Sequence, residues 1–243
     1  MSRVGSDVAD ALETHGFVVL PSPFSTAEIA RVQAAYDDAF AHVSPDDVHV
    51  GRTSTRVNDF VNRGPEFDLL YTWPPVLDAA RRVVGGPFRL SVLHARTLHP
   101  GGPAQELHVD IPRTSDAWPM LGAILMVDDF RPDNGATRFV PGSHRWTETP
   151  AQVLADCAAP HADEVITCGP AGSLILFNAS TWHGYTANSS SSGRRSMQGT
   201  FIPRSGRAAT DFLGRMRPST FARLSATACE VIGIESANHA PPV

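Results

Sequence analysis

The sequence predicts a mainly β fold with flanking helices, its core a double-sheet jelly roll or barrel. Three observations predict it. After Pro87 the chain breaks into about eight short apolar runs of strand length, separated by Gly, Pro, Asn and Asp clusters. Before Pro87 the apolar residues recur at helical spacing instead. No internal repeat and no βαβ alternation is present, so the parallel-sheet classes fall away.

Taken in order, residues 6–14 read as a helix capped by Ser6 or Asp7, and Gly16 ends it before a short strand at Phe17–Leu20. Phe24-Ser25-Thr26-Ala27-Glu28 is a capping box with its hydrophobic staple, opening an amphipathic helix that runs to Phe40. Residues 42–65 are polar and irregular, yet carry Val57, Phe60 and Val61; a segment this long is expected to be a substrate-binding loop. A further helix begins with Pro75 in its first turn, places Val76, Leu77, Ala80, Val83 and Val84 at helical spacing, and stops at Gly85-Gly86. The β-like runs are 88–97, 107–111, 121–127, 137–140, 164–167, 173–177, 182–186 and 194–202, with turn signals such as Pro100-Gly101-Gly102-Pro103 and Pro132-Asp133-Asn134-Gly135 between them. A final helix is expected from Thr220, capped by Ser219 or Thr220. Residues 1–243 are expected to form one domain: a helical part over 1–86, the β core over 87–204, and a C-terminal segment over 205–235.

Composition narrows the chemistry. A net charge of -5 leaves no basic track for a nucleic-acid backbone or an anionic membrane. All 20 basic residues are Arg, so Schiff-base chemistry and a phosphate loop ending in Gly-Lys have no lysine to use. Cys157, Cys168 and Cys229 are odd in number and widely spaced, which suits neither a disulfide framework nor a thiolate metal site. With no signal-peptide pattern and no membrane-length apolar run, the expectation is a soluble, cytoplasmic protein. Oligomeric state is not readable from the sequence.

Gln105-Glu106-Leu107-His108-Val109-Asp110 reads as a short strand, in which His108 and Asp110 point to one face and Val109 to the other. An imidazole and a carboxylate at that spacing are half a metal site, although His-x-Asp also recurs by chance. His183 lies in another β run, just after the apolar stretch Leu174–Phe177. Two His and one carboxylate would leave coordination positions open, the facial arrangement that suits non-heme Fe(II) and O2. Eleven residues later (194 − 183) stands Arg194, sharing a strand face with Ser196 and Gln198. A guanidinium and a hydroxyl aimed at one spot make a carboxylate receptor.

His108-Val109-Asp110, the stretch from Asp133 through Pro141-Gly142-Ser143-His144, and His183 followed by Arg194 together resemble, in order and spacing, the phytanoyl-CoA dioxygenase-like (PhyH) family of Fe(II)/2-oxoglutarate-dependent oxygenases. Residues 16–29 and 215–225 resemble it too, so the likeness covers most of the chain. It implies a double-stranded β-helix (cupin-like jelly roll) core, His108, Asp110 and His183 as iron ligands, and Arg194 on the distal carboxylate of 2-oxoglutarate. Gln105 and Thr137 fall where relatives contact 2-oxoglutarate, and Pro141–His144 becomes a structural turn. Asp110 occupies the position that halide takes in related halogenases with Gly or Ala there, so the resemblance implies hydroxylation or a kindred oxidation.

A small or medium organic metabolite is the expected substrate, a natural-product intermediate among the candidates. Arg56, Asn58 and Phe60, His94 and Arg96 on the first long β run, and the insert from Arg113 to Trp118 are the residues expected near the iron. Two other classes stay open: a cupin-type metal-dependent isomerase or hydrolase, which has no need of Arg194 and Ser196, and a non-catalytic jelly-roll binding protein.

Overall fold

Successive residues from Arg194 to Pro203 alternate between two environments, and that alternation organises the molecule. Met197 and Phe201 point to one side, into a core of helices; Arg194, Ser196 and Gln198 point to the other. The computed structural model describes residues 3–113 and 120–234. Within them run helix α1 (Arg3–Thr14), strand β1 (Phe17–Leu20), α2 (Thr26–Ala41), β2 (Val48–Val50), β3 (Ser54–Val57), the short helix α3 (Leu69–Thr72), α4 (Pro74–Val84) and β4 (Phe88–Leu98). After these come β5 (Leu121–Met126), β6 (Thr137–Phe139), α5 (Pro150–Val153), β7 (Val165–Thr167), β8 (Leu174–Asn178), β9 (His183–Tyr185), β10 (Arg194–Pro203), α6 (Pro218–Arg223) and α7 (Ala226–Ile232).

Seven strands form an antiparallel sheet in the order β1-β8-β5-β10-β4-β3-β2, and β7-β6-β9 form a second sheet. One face of the large sheet, with Val57, Leu93, Ala95, Leu121, Leu125, Leu174, Leu176 and Met197, packs against α1, α2, α4 and α7 through Leu12, Val32, Tyr36, Val76, Ala80 and Val231. Each fully buried Val, Leu or Met side chain among these is worth about 1.5–3 kcal/mol. The other face looks toward the small sheet. At its β8–β5 side Ile124, Met126, Ile175 and Phe177 pack with Phe130 and Phe139. Moving across β10 and β4 to β3, the same face becomes polar: Gln198 pairs with His94, Ser196 with Arg96, and Arg96 with Arg56. This is the two-sheet, helix-flanked jelly roll that the sequence pattern predicts.

Local signals act as read. Ser25 caps α2 and Glu28 returns the bond to the Ser25 N–H at 2.8 Å, a reciprocal box worth about 1 kcal/mol. Gly85 ends α4 with φ +78°, a left-handed conformation that favours glycine.

Three expectations change. Residues 42–65 are not irregular: β2 and β3 form a hairpin that extends the large sheet, with Val57, Phe60 and Val61 in the core. Strands of three and four residues are too short for their alternation to stand out in sequence. Gln105–Asp110 is not a strand of the ladder but an extended segment joined by an isolated bridge from His108 to His183. Its N–H groups go to separate partners, Gln105 to Tyr185 O, Leu107 to Cys157 O and Asp110 to Ala179 O, so no continuous pairing builds up. The C-terminal helix is two helices, because Ser225 takes an extended conformation and caps α7 through the Ala228 N–H.

Candidate metal centre and its cavity

His108 and His183 are 75 residues apart in sequence (183 − 108) and directly opposed in space. Each backbone N–H donates to the other's carbonyl at 2.9 Å, so the two side chains leave on the same side of the bridge. Gly184 makes this approach feasible. A Cβ there would lie 2.9 Å from Gln105 O and 3.1 Å from Glu106 O, pushing off the segment that carries His108.

The side-chain geometry is that of a three-ligand site. His108 Nε2 is 3.8 Å from Asp110 Oδ1, His183 Nε2 is 3.7 Å from Asp110 Oδ2, and one ligand atom from each residue lies within 4.8 Å of the others. Both histidines are oriented by the same device: Nδ1 sits 3.0 Å from Glu106 O at His108 and 2.8 Å from Thr181 O at His183. A carbonyl only accepts, so each Nδ1 must carry the proton and each Nε2 turns its lone pair toward Asp110. Burial pushes His183 down to about 4, and neighbouring His108 adds to the fall against the pull of Asp110, so the ring is neutral at neutral pH. A neutral imidazole is the form that binds a metal.

These three residues border a cavity of ≈ 350 Å³ between the sheets. Arg194 lies against the same space, 3% exposed. Its Nη2 donates to Gly135 O at 2.7 Å and its carbon stands 4.1 Å from the centre of the Phe130 ring, but Nε and Nη1 are buried with no partner among the described residues. Burial, followed by the like charge of Arg96, lowers it to about 9, which still leaves it protonated at neutral pH. Arg195, on the opposite face of β10, instead pairs with Asp128 and Asp37, each at 2.7 Å. Two adjacent arginines thus divide between a structural ion pair and a guanidinium turned to the cavity.

Gln105 and Thr137 also line the cavity. Ser196 does not; its hydroxyl donates to Arg96 O at 3.2 Å, inside the sheet. Of the residues expected near the substrate, Arg56, His94 and Arg96 line the cavity. Phe60 is packed between Tyr36 and Phe67, and neither it nor Asn58 lines the cavity. Arg113 donates to Arg145 O, and Trp118 lies outside the described residues. His144 lies in a 3-10 turn with Nε2 3.0 Å from Glu13 O, at a distance from any ligand role.

Sequence reasoning missed Arg138 and Tyr185. Arg138 is 2% exposed; it pairs with Glu164 at 3.0 Å and donates to Gln105 O, Cys157 O, Ala158 O and Ala159 O, tying down the segment that leads to His108. Its neighbour Thr137 faces the cavity, so alternation alone would have turned Arg138 away from it and into protein. Tyr185 borders the cavity and its hydroxyl meets Thr53 Oγ1 at 3.0 Å.

A sequence profile of the phytanoyl-CoA dioxygenase (PhyH) family matches residues 12–196. Among curated proteins, dioxygenase cdmA of Talaromyces verruculosus is 32% identical over 213 residues, covering 78% of this chain and 70% of its own. Among solved structures, the epimerase SnoN in complex with Fe3+, alpha ketoglutarate and nogalamycin RO superposes with TM-score 0.67 at 22% identity, over 89% of this chain and 91% of that one. EctD from S. alaskensis with 2-oxoglutarate and 5-hydroxyectoine gives 0.67 at 22%, over 92% and 84%. At these identities the two structures speak for the fold.

Proposed function

The chain belongs to the phytanoyl-CoA dioxygenase family, and on that premise we propose that it is an Fe(II)/2-oxoglutarate-dependent oxygenase that hydroxylates a small or medium organic metabolite such as a natural-product intermediate. One observation carries the reading: a His/Asp/His set with inward lone pairs shares a cavity with a buried guanidinium that has two unpaired nitrogens. The donor chemistry fits the metal, since two neutral imidazoles and one carboxylate leave sites free for a chelating co-substrate and O2. Bound there, iron(II) with 2-oxoglutarate and O2 supplies the oxidising equivalent, and 2-oxoglutarate leaves as succinate and CO2.

The protein's own part is positional and electrostatic. Glu106 O and Thr181 O fix the two imidazoles, and Gly184 and Arg138 hold the His108 segment in register. Arg194 takes the distal carboxylate of 2-oxoglutarate on Nε and Nη1, a strong charge-assisted pair in a dry setting. Gln105 and Thr137 offer polar contacts on the way. Asp110, as the third ligand, fills the place a halide would need, which directs the reaction to oxygenation. Phe177 and Ile124 close the apolar side and exclude water from the reacting carbon.

Calorimetric titration of the zinc-loaded protein tests this without turnover. 2-Oxoglutarate should bind at least tenfold more tightly than succinate, which lacks the chelating keto oxygen. Equal affinities would speak for a simple dicarboxylate binder or a cupin-type hydrolase.

A further inference from the structure

Arg56 on β3 and Arg96 on β4 are directly paired across the sheet, on the face that carries Arg194, and both line the cavity. Like charges in that position repel and cost stability. Four other arginines held in the fold do have carboxylate partners: Arg63 with Asp47, Arg138 with Glu164, Arg195 with Asp128 and Arg223 with Asp68. The guanidiniums of Arg56 and Arg96 have neither a salt bridge nor a hydrogen bond among the described residues, and Arg96 Nε is buried without a partner. Burial and the charge of Arg56 draw Arg96 below its ordinary value. His94, two residues before Arg96 on the same face, is held neutral and adds no charge of its own.

The charge balance of the cavity points to the kind of ligand it suits. Its lining carries three arginines and one aspartate, a sum of 3 − 1 = +2. On the reading above, a divalent metal and a dianionic 2-oxoglutarate cancel, so the +2 remains. Arg194 answers one end of 2-oxoglutarate and the metal the other. Arg56 stands on the second strand over from Arg194, roughly 10 Å across the sheet.

We propose that Arg56 and Arg96 form a second anion subsite, separate from Arg194, and that the substrate carries a carboxylate or phosphate oxyanion which this pair grips. The subsite then turns the carbon to be oxidised toward His108, Asp110 and His183. The inference rests on the oxygenase reading and narrows its substrate class to acids.

The test uses the full chain loaded with Zn(II) and saturating 2-oxoglutarate, titrated with benzoate, phenyl phosphate and the neutral control benzamide. One or both anions should bind and benzamide should not; the tighter anion identifies the oxyanion. Arg56→Gln and Arg96→Gln should each weaken the anion at least tenfold while leaving 2-oxoglutarate affinity within about threefold. The melting temperature of each unliganded variant should hold or rise, because a repulsion is relieved. Three results overturn the proposal: benzamide binding as well as the anions, 2-oxoglutarate affinity falling in step with anion affinity, or a large loss of melting temperature that marks the pair as structural. Failure of wild-type protein to bind 2-oxoglutarate would sink the oxygenase reading itself, and is seen before any anion is added.

Discussion

Replacing Arg194 with Met separates binding from stability, because the two should move in opposite directions. Lowered to about 9, well below the ordinary guanidinium value, the buried Arg194 is disfavoured in the folded state by on the order of 5 kcal/mol at about 1.4 kcal/mol per pH unit. Against that stand one charge-assisted bond to Gly135 O, worth about 1.5–3 kcal/mol, and the contact with Phe130, worth about 1–2 kcal/mol. Methionine is of similar length and fills the space without charge. The net expectation for Arg194→Met is a change between zero and roughly +2 kcal/mol in the unliganded protein, at most a few degrees of melting temperature for a chain of this size. Binding should go the other way. Removing one partner of a buried charge pair costs about 2–5 kcal/mol, so 2-oxoglutarate affinity should fall at least thirtyfold. Differential scanning calorimetry and titration of the zinc-loaded protein give the two readouts. A variant that melts well below wild type yet binds 2-oxoglutarate normally would refute the reasoning, since Arg194 would then be a structural residue.

Three further outcomes follow from the same geometry. Burial holds His94 at about 3 against 6.5 unfolded, so the unfolded chain binds more protons between those values; stability is intact above pH 6.5 and falls as pH drops toward 3. His94→Gln should flatten that slope by about 1.4 kcal/mol per pH unit in urea titrations between pH 6 and 4.5. Gly184→Ala should cut metal affinity at least tenfold, read by competition with a chelator, while far-UV circular dichroism stays unchanged, because the added Cβ displaces the His108 segment. Arg138→Met should destabilise by about 3–5 kcal/mol in chemical denaturation, since Glu164 and four carbonyls lose their buried partner.

What could be read from the sequence was whatever rests on local pattern. The capping box at Ser25, the stop at Gly85 and the long alternating strand from Arg194 each declare themselves within a few residues. His108, Asp110, His183 and Arg194 were legible because their spacing matches a family, and the fold then brings all four to one cavity. Less legible was what depends on contacts far apart in the chain. Phe60 looks like a loop aromatic until Tyr36 and Phe67 close around it. Ser196 shares the strand face of Arg194, but Arg96 O claims its hydroxyl. Arg138 resembles a surface charge, and only the folded chain brings five acceptors to it.

If His108, Asp110 and His183 hold an iron to which 2-oxoglutarate chelates, the complex should be visible by its colour. Adding Fe(II) and then 2-oxoglutarate to the protein under anaerobic conditions tests it directly, by visible absorption. A weak charge-transfer band should appear, saturate at one 2-oxoglutarate per chain and be lost in His183→Ala. Folded, iron-loaded protein that shows no such band would contradict it.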